Sequence, residues 1–554
     1  MTLQIPVLEA GPRSRREPRT ATEDLLSDRF RVETFVANFE ALATAARGAA
    51  ALRRLILELA VRGRLTSPTA LAQAADGPFP IPEHWAWGSG EEVFAFVTSG
   101  SRGWAAYYAA DGPLFLRIGN LDYETTDLDL RNIQHVRPPK NAEGVRTRVE
   151  AGDILISITG DTGMVGLAPP NLGEAYINQH IALARPSAKM WPAFVAHALT
   201  APSLLGRLQS AQRGIKNSLG LEDVRKLSVP VPPLAEQKRI VARVDQLMAL
   251  VDDLEAKQTK KRDLSTRFTK ASLEALTTAD SSEAFDTAWQ RVVENLATVT
   301  DRAEKVTGVR RCVVGLALRG CLVGQHPSDG DAEQILSRLH AEPLAETERP
   351  SVPLPKSWRW AALGSVLTDG PKNGFSPKAV DHETPVKSLT LTATTSGNFD
   401  GQFFKYIAEN IPPDSELWLH DGDVLIQRGN TIEYVGVAAI YRGPSRTFIY
   451  PDLMMKVRIS EEMDLEFVHM ALNSPVARAF IMSRASGTSG SMPKINQATL
   501  RAIPIPVAPL AEQRRVMRRV NQLMKLCDDL EARLHRAEDR ASKLVEAVVQ
   551  EMVT

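Results

Sequence analysis

Two carboxylate clusters are the residues in this chain whose types first invite a chemical reading. Asp252, Asp253 and Glu255 return as Asp528, Asp529 and Glu531. Grouped acids serve metal-assisted nucleases, but both groups sit in helical sequence, where residues one apart face different directions and do not converge on one site. They read as an exposed or partner-facing helix edge. Gly160-Asp-Thr-Gly163 follows an apolar run but is not GxGxxG and opens no helix, so it reads as a strand-connecting turn rather than a phosphate cradle. There is no GxxxxGK[ST] loop, no HExxH, no Asn-Pro-Pro-aromatic signature and no acidic-acidic-Lys nuclease cluster, and the 10 His are scattered. Cys312, Cys321 and Cys527 form no CxxC pair, which argues against a zinc knuckle or disulfide framework and for a reducing, cytoplasmic setting. The expectation is a chain with no catalytic, metal or cofactor site of its own.

What the sequence does carry is a duplication. LAEQKRIVARVDQLMALVDDLEA at Leu234–Ala256 returns 276 residues later as LAEQRRVMRRVNQLMKLCDDLEA at Leu510–Ala532, with 16 of 23 positions identical. Unrelated stretches agree at roughly one or two positions. The match extends outward. Leu52–Thr66 aligns with Val309–Val323, Pro80-Ile-Pro-Glu-His-Trp85-Ala-Trp87 with Pro353-Leu-Pro-Lys-Ser-Trp358-Arg-Trp360, Ala151–Ser157 (AGDILIS) with Asp421–Gln427 (DGDVLIQ), and Val229–Gln237 with Ile505–Gln513. One unit therefore reads helix, globular domain, long helix, and the chain holds two: Thr22 to about Thr277, and about Ser282 to Thr554.

The long helices show a seam. Apolar residues fall at Ile240, Val244, Leu247, Val251 and Leu254, and at Val516, Val520, Leu523, Cys527, Leu530, Leu534, Ala537, Ala541, Leu544 and Val548. Alternating steps of four and three give the 3.5-residue period of a coiled coil, so the two seams are expected to pack on each other, antiparallel. Pro233 and Pro509 mark the starts, and Glu236 and Glu512 suit the positive end of the dipole. The first seam turns polar at Gln258 and Lys261 and resumes near Phe268. That gap is either a solvated face or a place where the pair opens or changes partner.

The globular domains, about 80–232 and 353–508, read as mixed α/β with short strands at Ile154–Ile158, Val165–Ala168, Ile181–Ala184, Val424–Ile426, Val435–Ala439 and Met454–Val457, and single helices at Phe194–Leu208 and Phe467–Met482. Trp85, Trp87, Trp358 and Trp360 repeat with the frame and read as core. At 554 residues the length predicts three to four units. Net charge is zero, which argues against a non-specific polyanion binder but leaves room for a reader with a few local Arg and Lys. No apolar run reaches the length of a membrane span, and the first 21 residues read as a disordered, mildly basic tail.

PLAEQ-(K/R)R-…-QLM-…-DDLEA closing a domain, used twice, resembles the specificity subunit of type I restriction–modification systems. The LRRLILELAVRGRL and VRRCVVGLALRGCL helices, the LPxxWxW and GDIL landmarks and the VPVPPL exit are similar to that family's shared regions and to the frame of its target-recognition domains. The resemblance runs over nearly the whole chain from about residue 22. It implies an α+β fold with an internal two-fold repeat. Segment by segment this gives a tail (1–21), an N-terminal helical region and linker (22–79), target-recognition domain 1 (80–232), long helix 1 (233–277), a central helical region and linker (282–352), target-recognition domain 2 (353–508) and long helix 2 (509–554). It also implies a non-catalytic reader of a bipartite site in double-stranded DNA, bound to two methyltransferase subunits and through them to restriction subunits. S-adenosylmethionine, ATP and Mg²⁺ would belong to those partners. The rival reading is a coiled-coil scaffold tethering two protein-binding domains. Ile240–Phe268 is 29 residues, roughly 43 Å of helix, against about 34–36 Å per turn of DNA, so a helical rod of this size is suited to setting the gap between half-sites.

Base readout needs polar side chains on exposed loops. The candidates in the first domain are Ser99, Ser101 and Arg102; Thr159, Asp161 and Thr162; and Arg213, Lys216, Asn217 and Ser218. In the second they are Lys372, Asn373 and Ser376; Gln427, Arg428, Asn430 and Thr431; and Arg484, Thr488, Ser489, Ser491 and Lys494. Trp104, Tyr107 and Tyr108 could add contacts to bases or sugars. Solvent-facing turns are the plain alternative for each. For methyltransferase docking the candidates are Leu52, Leu55, Ile56 and Leu59 with Val309, Cys312, Val313 and Leu316, against ordinary helix packing within the chain.

Overall fold

The computed structural model describes residues 45, 47–66, 71–72, 77–100, 102–138, 146–211, 218–485 and 492–553. Two compact units divide the chain: Met1–Lys261 with Ala537–Thr554, and Arg262–Arg536.

In the first unit helix α1 (Gly48–Val61) precedes the globular domain. Strand β1 (Ala86–Ser89) pairs with the exit strand and is followed by β2 (Phe94–Ser99), β3 (Ile154–Ser157), β4 (Val165–Leu167) and β5 (Ile181–Pro186). The central sheet is antiparallel in the order β2-β5-β3-β4. Its strands read as continuous apolar runs because both faces are covered. Ile154 and Ile156 face helices α2 (Pro192–Thr200) and α3 (Pro202–Ser210), while Leu155 faces Leu116, Val149 and Ile177 beside a second small sheet. Sequence reading expected one helix over Phe194–Leu208. Pro202 has no N–H to continue the ladder, so Ala201 turns extended and a new helix begins. The exit strand β6 (Ser228–Val231) pairs with β1, Pro230 opposite Trp87.

Long helix α4 (Leu234–Thr278) follows, then α5 (Ser282–Glu294) and α6 (Ala303–Leu318). The second domain repeats the first: β7 (Arg359–Ala362), β8 (Leu367–Asn373), β9 (Val424–Gln427), β10 (Ala438–Ile440), β11 (Met454–Ile459) and β12 (Pro504–Val507), with sheet order β8-β11-β9-β10 and Trp360 opposite Pro506. The second expected single helix is again a pair, α7 (Leu465–Leu472) and α8 (Pro475–Arg484). Helix α9 (Leu510–Val553) closes the chain.

The repeated motifs now have physical causes. In each Gly-Asp turn the glycine holds φ near +86°, which favours glycine (Gly152 +87°, Gly422 +86°). The aspartate beside it is buried and takes a two-nitrogen bond from an arginine on the neighbouring strand: Arg185 to Asp153 at 2.7 and 2.9 Å, Arg458 to Asp423 at 3.1 and 2.7 Å. In each PLAEQ segment the glutamine is fully buried and pins the long helix to its domain. Gln237 accepts from the Trp191 N–H (2.6 Å) and donates to the Pro232 carbonyl (2.8 Å); Gln513 accepts from Asp464 N–H (2.9 Å) and donates to Ala508 (2.7 Å). In each DDLEA segment the first Asp and the Glu three residues on grip one arginine of the short helix: Arg53 with Asp252 and Glu255, Arg310 with Asp528 and Glu531, all at 2.6–2.8 Å. The carboxylates are therefore helix-to-helix clamps at an exposed edge.

The seams pack first on the short helices. Ile240, Val244 and Val251 share a core with Leu52 and Ile56 of α1, and Val516 and Val520 with Val313 and Ala317 of α6. Beyond the polar gap, Phe268, Leu273 and Leu276 join Cys312, Leu316 and Val292 in the second unit, so the seam of α4 changes partner there. At the far end of α9, Val545 and Val548 pack on Ala45 and Ala51 in the first unit. Each long helix thus starts in the unit of its own repeat and ends in the other, and each end is capped by an arginine after a short helix. Arg64 donates to Met552 O (3.0 Å) and Arg319 to Leu276 O (3.2 Å), which satisfies terminal carbonyls and suits the negative dipole end.

Candidate nucleic-acid interface

The loop after β3 and the loop after β9 occupy equivalent places on the two equivalent sheets. Each is closed by a bond between the strand's last residue and a glycine: Gly163 N–H to Ser157 O (2.9 Å), Gly436 N–H to Gln427 O (2.7 Å). The first loop closes over six residues (163 − 157) and the second over nine (436 − 427), so the second carries three more within an equal frame. Each loop is also tied to the segment that leads to the exit strand, by Thr159 paired with Ser218 and Gly429 paired with Lys494.

In the second domain the Arg428–Asn430 loop meets the Pro493–Ile495 segment and the Leu453 turn beside Ser376. Arg428 N–H donates to Leu453 O (2.7 Å), its carbonyl accepts from Ile495 N–H (2.9 Å), and Asn430 N–H donates to Pro493 O (3.3 Å). Ser376 donates its hydroxyl to Asp452 and accepts from the Asp452 N–H (3.0 Å). Asn373, Ser376, Thr431 and Lys494 are exposed, and Arg428 and Asn430 half-buried. Arg484 is exposed with its guanidinium 3.7 Å from the Phe480 ring centroid. In the first domain Arg102, Asp161 and Tyr108 are exposed, and Ser99, Thr159, Ser218 and Tyr107 half-buried.

Four predicted residues are buried or paired within the chain. Gln427 is fully buried: its amide donates to Leu391 O (3.0 Å) and Thr394 Oγ1 (3.0 Å) and accepts from Asn430 (2.6 Å), so it shapes the loop and reads no base. Thr162 is buried behind Tyr123, whose hydroxyl donates to the Thr162 carbonyl (2.9 Å). Lys372 is held by Asp369 and Glu416, both at 2.7 Å, which raise its pKa and neutralise it locally. Trp104 is buried, stacked on Phe115 with ring centroids 5.4 Å apart. Ser101, Arg213, Lys216, Asn217, Thr488, Ser489 and Ser491 lie outside the described residues.

Exposed apolar side chains stand at the same loops, where polar residue type does not point to them. Ile432, Tyr434, Phe375 and Met492 are each about two-fifths exposed around Arg428 and Lys494, as is Tyr123 over the first loop. Their signal is tertiary: large apolar residues stand in water beside the candidate polar residues, and side chains of this kind are the ones that stack on or wedge against bases in nucleic-acid binders generally. The proposed methyltransferase-docking side chains fare differently. Leu52, Leu55, Ile56, Cys312, Val313 and Leu316 are buried, and Leu59 and Val309 half-buried, so most of that stripe is spent on packing within the chain. Among the described residues no group of three or more His, Cys, Asp or Glu is placed to hold a metal, and no helix is long and apolar enough to cross a membrane.

Residues 124–262 match the family model for the type I restriction modification DNA specificity domain. The chain is similar to the type I restriction enzyme EcoEI specificity subunit of Escherichia coli, 24% identical with 90% of this chain and 92% of that one covered. Similarity to the EcoKI specificity subunit of Escherichia coli strain K12 is 23% over 78% and 79%, and to the StySPI specificity subunit of Salmonella potsdam 21% over 85% and 88%. Among solved structures, the crystal structure of the HsdS subunit from Thermoanaerobacter tengcongensis aligns at 16% identity and a TM-score of 0.43, covering 86% and 98%.

Proposed function

We infer that this chain, a relative of the type I restriction–modification specificity subunits, is the DNA-specificity subunit of such a complex and carries no catalytic site itself. One observation carries the reading. The same four-stranded frame occurs twice, built from the same buried Asp–Arg and Gln locks, and the two frames differ in length and side chains at the loop that presents polar groups. A frame held constant under a variable platform is what two readers of different half-sites require. In the second domain Arg428, Asn430, Thr431 and Lys494 are the reading candidates, with Asn373, Ser376 and Arg484 beside them. In the first, Thr159, Asp161, Ser218, Ser99 and Arg102 take this role.

The double-stranded target is bipartite, and its spacer follows from the helices. Methyltransferase subunits bind this chain and place an adenine in their own active sites, where S-adenosylmethionine is held. Restriction subunits join through them and bring ATP and Mg²⁺. The test is methylome sequencing of cells expressing this chain with a methyltransferase partner, against cells without it. A new methylated adenine in a two-part motif with a fixed gap is the expected result. Absence of any new motif from a verified complex favours the scaffold reading and removes the contact residues named above.

A further inference from the structure

The loop after β9 closes over three residues more than the loop after β3, and the helix beneath it differs at a position that answers the difference. Helices α3 and α8 correspond from their first prolines. Leu204, Leu205 and Leu208 of α3 take the places of Ala477, Arg478 and Ile481 of α8, and each set is buried, half-buried and buried in turn. Each closing glycine is seated on this helix with positive φ, Gly163 at +90° and Gly436 at +83°. A Cβ on Gly163 would come 3.0 Å from Leu205 Cδ1. One on Gly436 would come 2.5 Å from Ile481 Cδ1 and 3.1 Å from Arg478 Nη1.

Under the shorter loop the matching position is therefore a hydrocarbon. That loop settles its carbonyls without the helix: Ser157 Oγ donates to Asp161 O (2.6 Å) and the Tyr123 hydroxyl to Thr162 O (2.9 Å). Under the longer loop the Arg478 guanidinium donates to three carbonyls, those of Val435, Ile432 (3.2 Å) and Glu433 (2.8 Å). Val435 precedes its closing glycine as Thr162 does, and the other two carbonyls lie in the stretch that carries the added residues. All three partners of Arg478 are backbone carbonyls. With no carboxylate beside it among the described residues, burial pulls its pKa down. Holding a cation out of water against carbonyls alone costs stability that a leucine would not. What it secures is presentation: the carbonyls turn towards the helix, and Thr431, Ile432, Glu433 and Tyr434 are all exposed.

We propose that Arg478 is a positioning residue for the second half-site. It touches no base; by holding the carbonyls of Ile432, Glu433 and Val435 it fixes how Thr431–Tyr434 meet DNA. This rests on the specificity-subunit reading and deepens it. A guanidinium suits the task because its donors form a rigid planar fork that spans several acceptors at once. Loop length and helix residue are thus matched: the short loop sits on leucine, and the long one is held by arginine.

The experiment is methylome sequencing of cells carrying a methyltransferase partner with the full-length parent chain, Arg478→Met or Arg478→Lys. Methionine keeps an unbranched stem and removes every donor. Lysine keeps the charge but, as a point donor, does not span three carbonyls. Far-ultraviolet circular dichroism and methyltransferase co-purification check that each variant folds and assembles. For Arg478→Met, discrimination at one or more positions of the second half-site is expected to fall about tenfold, the size of one lost base contact. The first half-site and the gap stay unchanged and serve as the internal control, since the domain that reads them has Leu205 at the matching place. Should the methionine variant not assemble, the same relaxation is expected of Arg478→Lys. An unchanged second half-site in an assembled variant overturns the proposal. Methylation lowered for all sequences alike, with base preferences intact, also overturns it, because a merely structural residue behaves that way. A parent chain that yields no two-part motif overturns the specificity-subunit reading itself.

Discussion

At the residue scale, the candidate loops separate side chains that face solvent from those that only share their sequence neighbourhood. Arg428→Ala is expected to cost about 1–3 kcal/mol of binding and relax one position of the second half-site if it contacts a base, or to weaken all sequences alike if it contacts phosphate. Competition binding of the assembled complex over single-base variants distinguishes these, and unchanged binding removes Arg428. Gln427→Ala, in contrast, strips a fully buried amide of four partners and is expected to destabilise the second domain by about 1–3 kcal/mol. A loss of sequence selectivity without a loss of stability in urea would refute that role. Tyr176 supplies a pH test. Burial, and then its 2.7 Å bond to Glu174, push the phenol up to about 12 from 10.0. The folded state holds the proton more tightly than the unfolded one, so this stability is complete below about pH 10 and is lost as pH rises towards 12. The urea midpoint of Tyr176→Phe should fall less steeply than the parent's across that window.

At the element scale, much was legible because periodicity and punctuation are local. The seam of Ile240, Val244 and Val251, the Pro starts, and the strands at Ile154 and Val424 all follow from apolar spacing, and the structure has them within a few residues. The paired helices at Pro192–Thr200 and Pro202–Ser210 were legible too, since Pro202 is in plain view, but apolar residues on both sides masked the break. What a seam packs against was not legible. A 3.5-residue period demands an apolar partner without naming it, and here the first partner is a short helix and the second lies beyond the polar gap at Gln258 and Lys261. Gln237 and Gln513 show how little sequence distance says about consequence. Gln237→Ala leaves the Trp191 N–H and the Pro232 carbonyl unpaired in the interior, so about 1–3 kcal/mol of stability is expected to go, with Gln513→Ala equivalent. Chemical denaturation of each variant reads it, and a change under about 0.5 kcal/mol, the size of an ordinary surface substitution, would remove the lock.

At the scale of the whole molecule, helices α4 and α9 both cross between the units, so a spacer set by helix length must be changed in both. One added heptad in each lengthens the rods by about 10 Å. The methylated motif is expected to gain a longer gap with both half-sites unchanged; half-sites of altered identity would sink the ruler. Sequence alone determined that there are two repeats, which helices carry a seam and which motifs recur, because repetition and periodicity are properties of the chain itself. Tertiary structure decided that Gln427 is buried while Lys494 is exposed, that the carboxylates of DDLEA hold Arg53 and Arg310, and that Leu250 and Leu526 stand in water. Burial and pairing depend on what folding brings alongside from hundreds of residues away, and no local pattern encodes that neighbour.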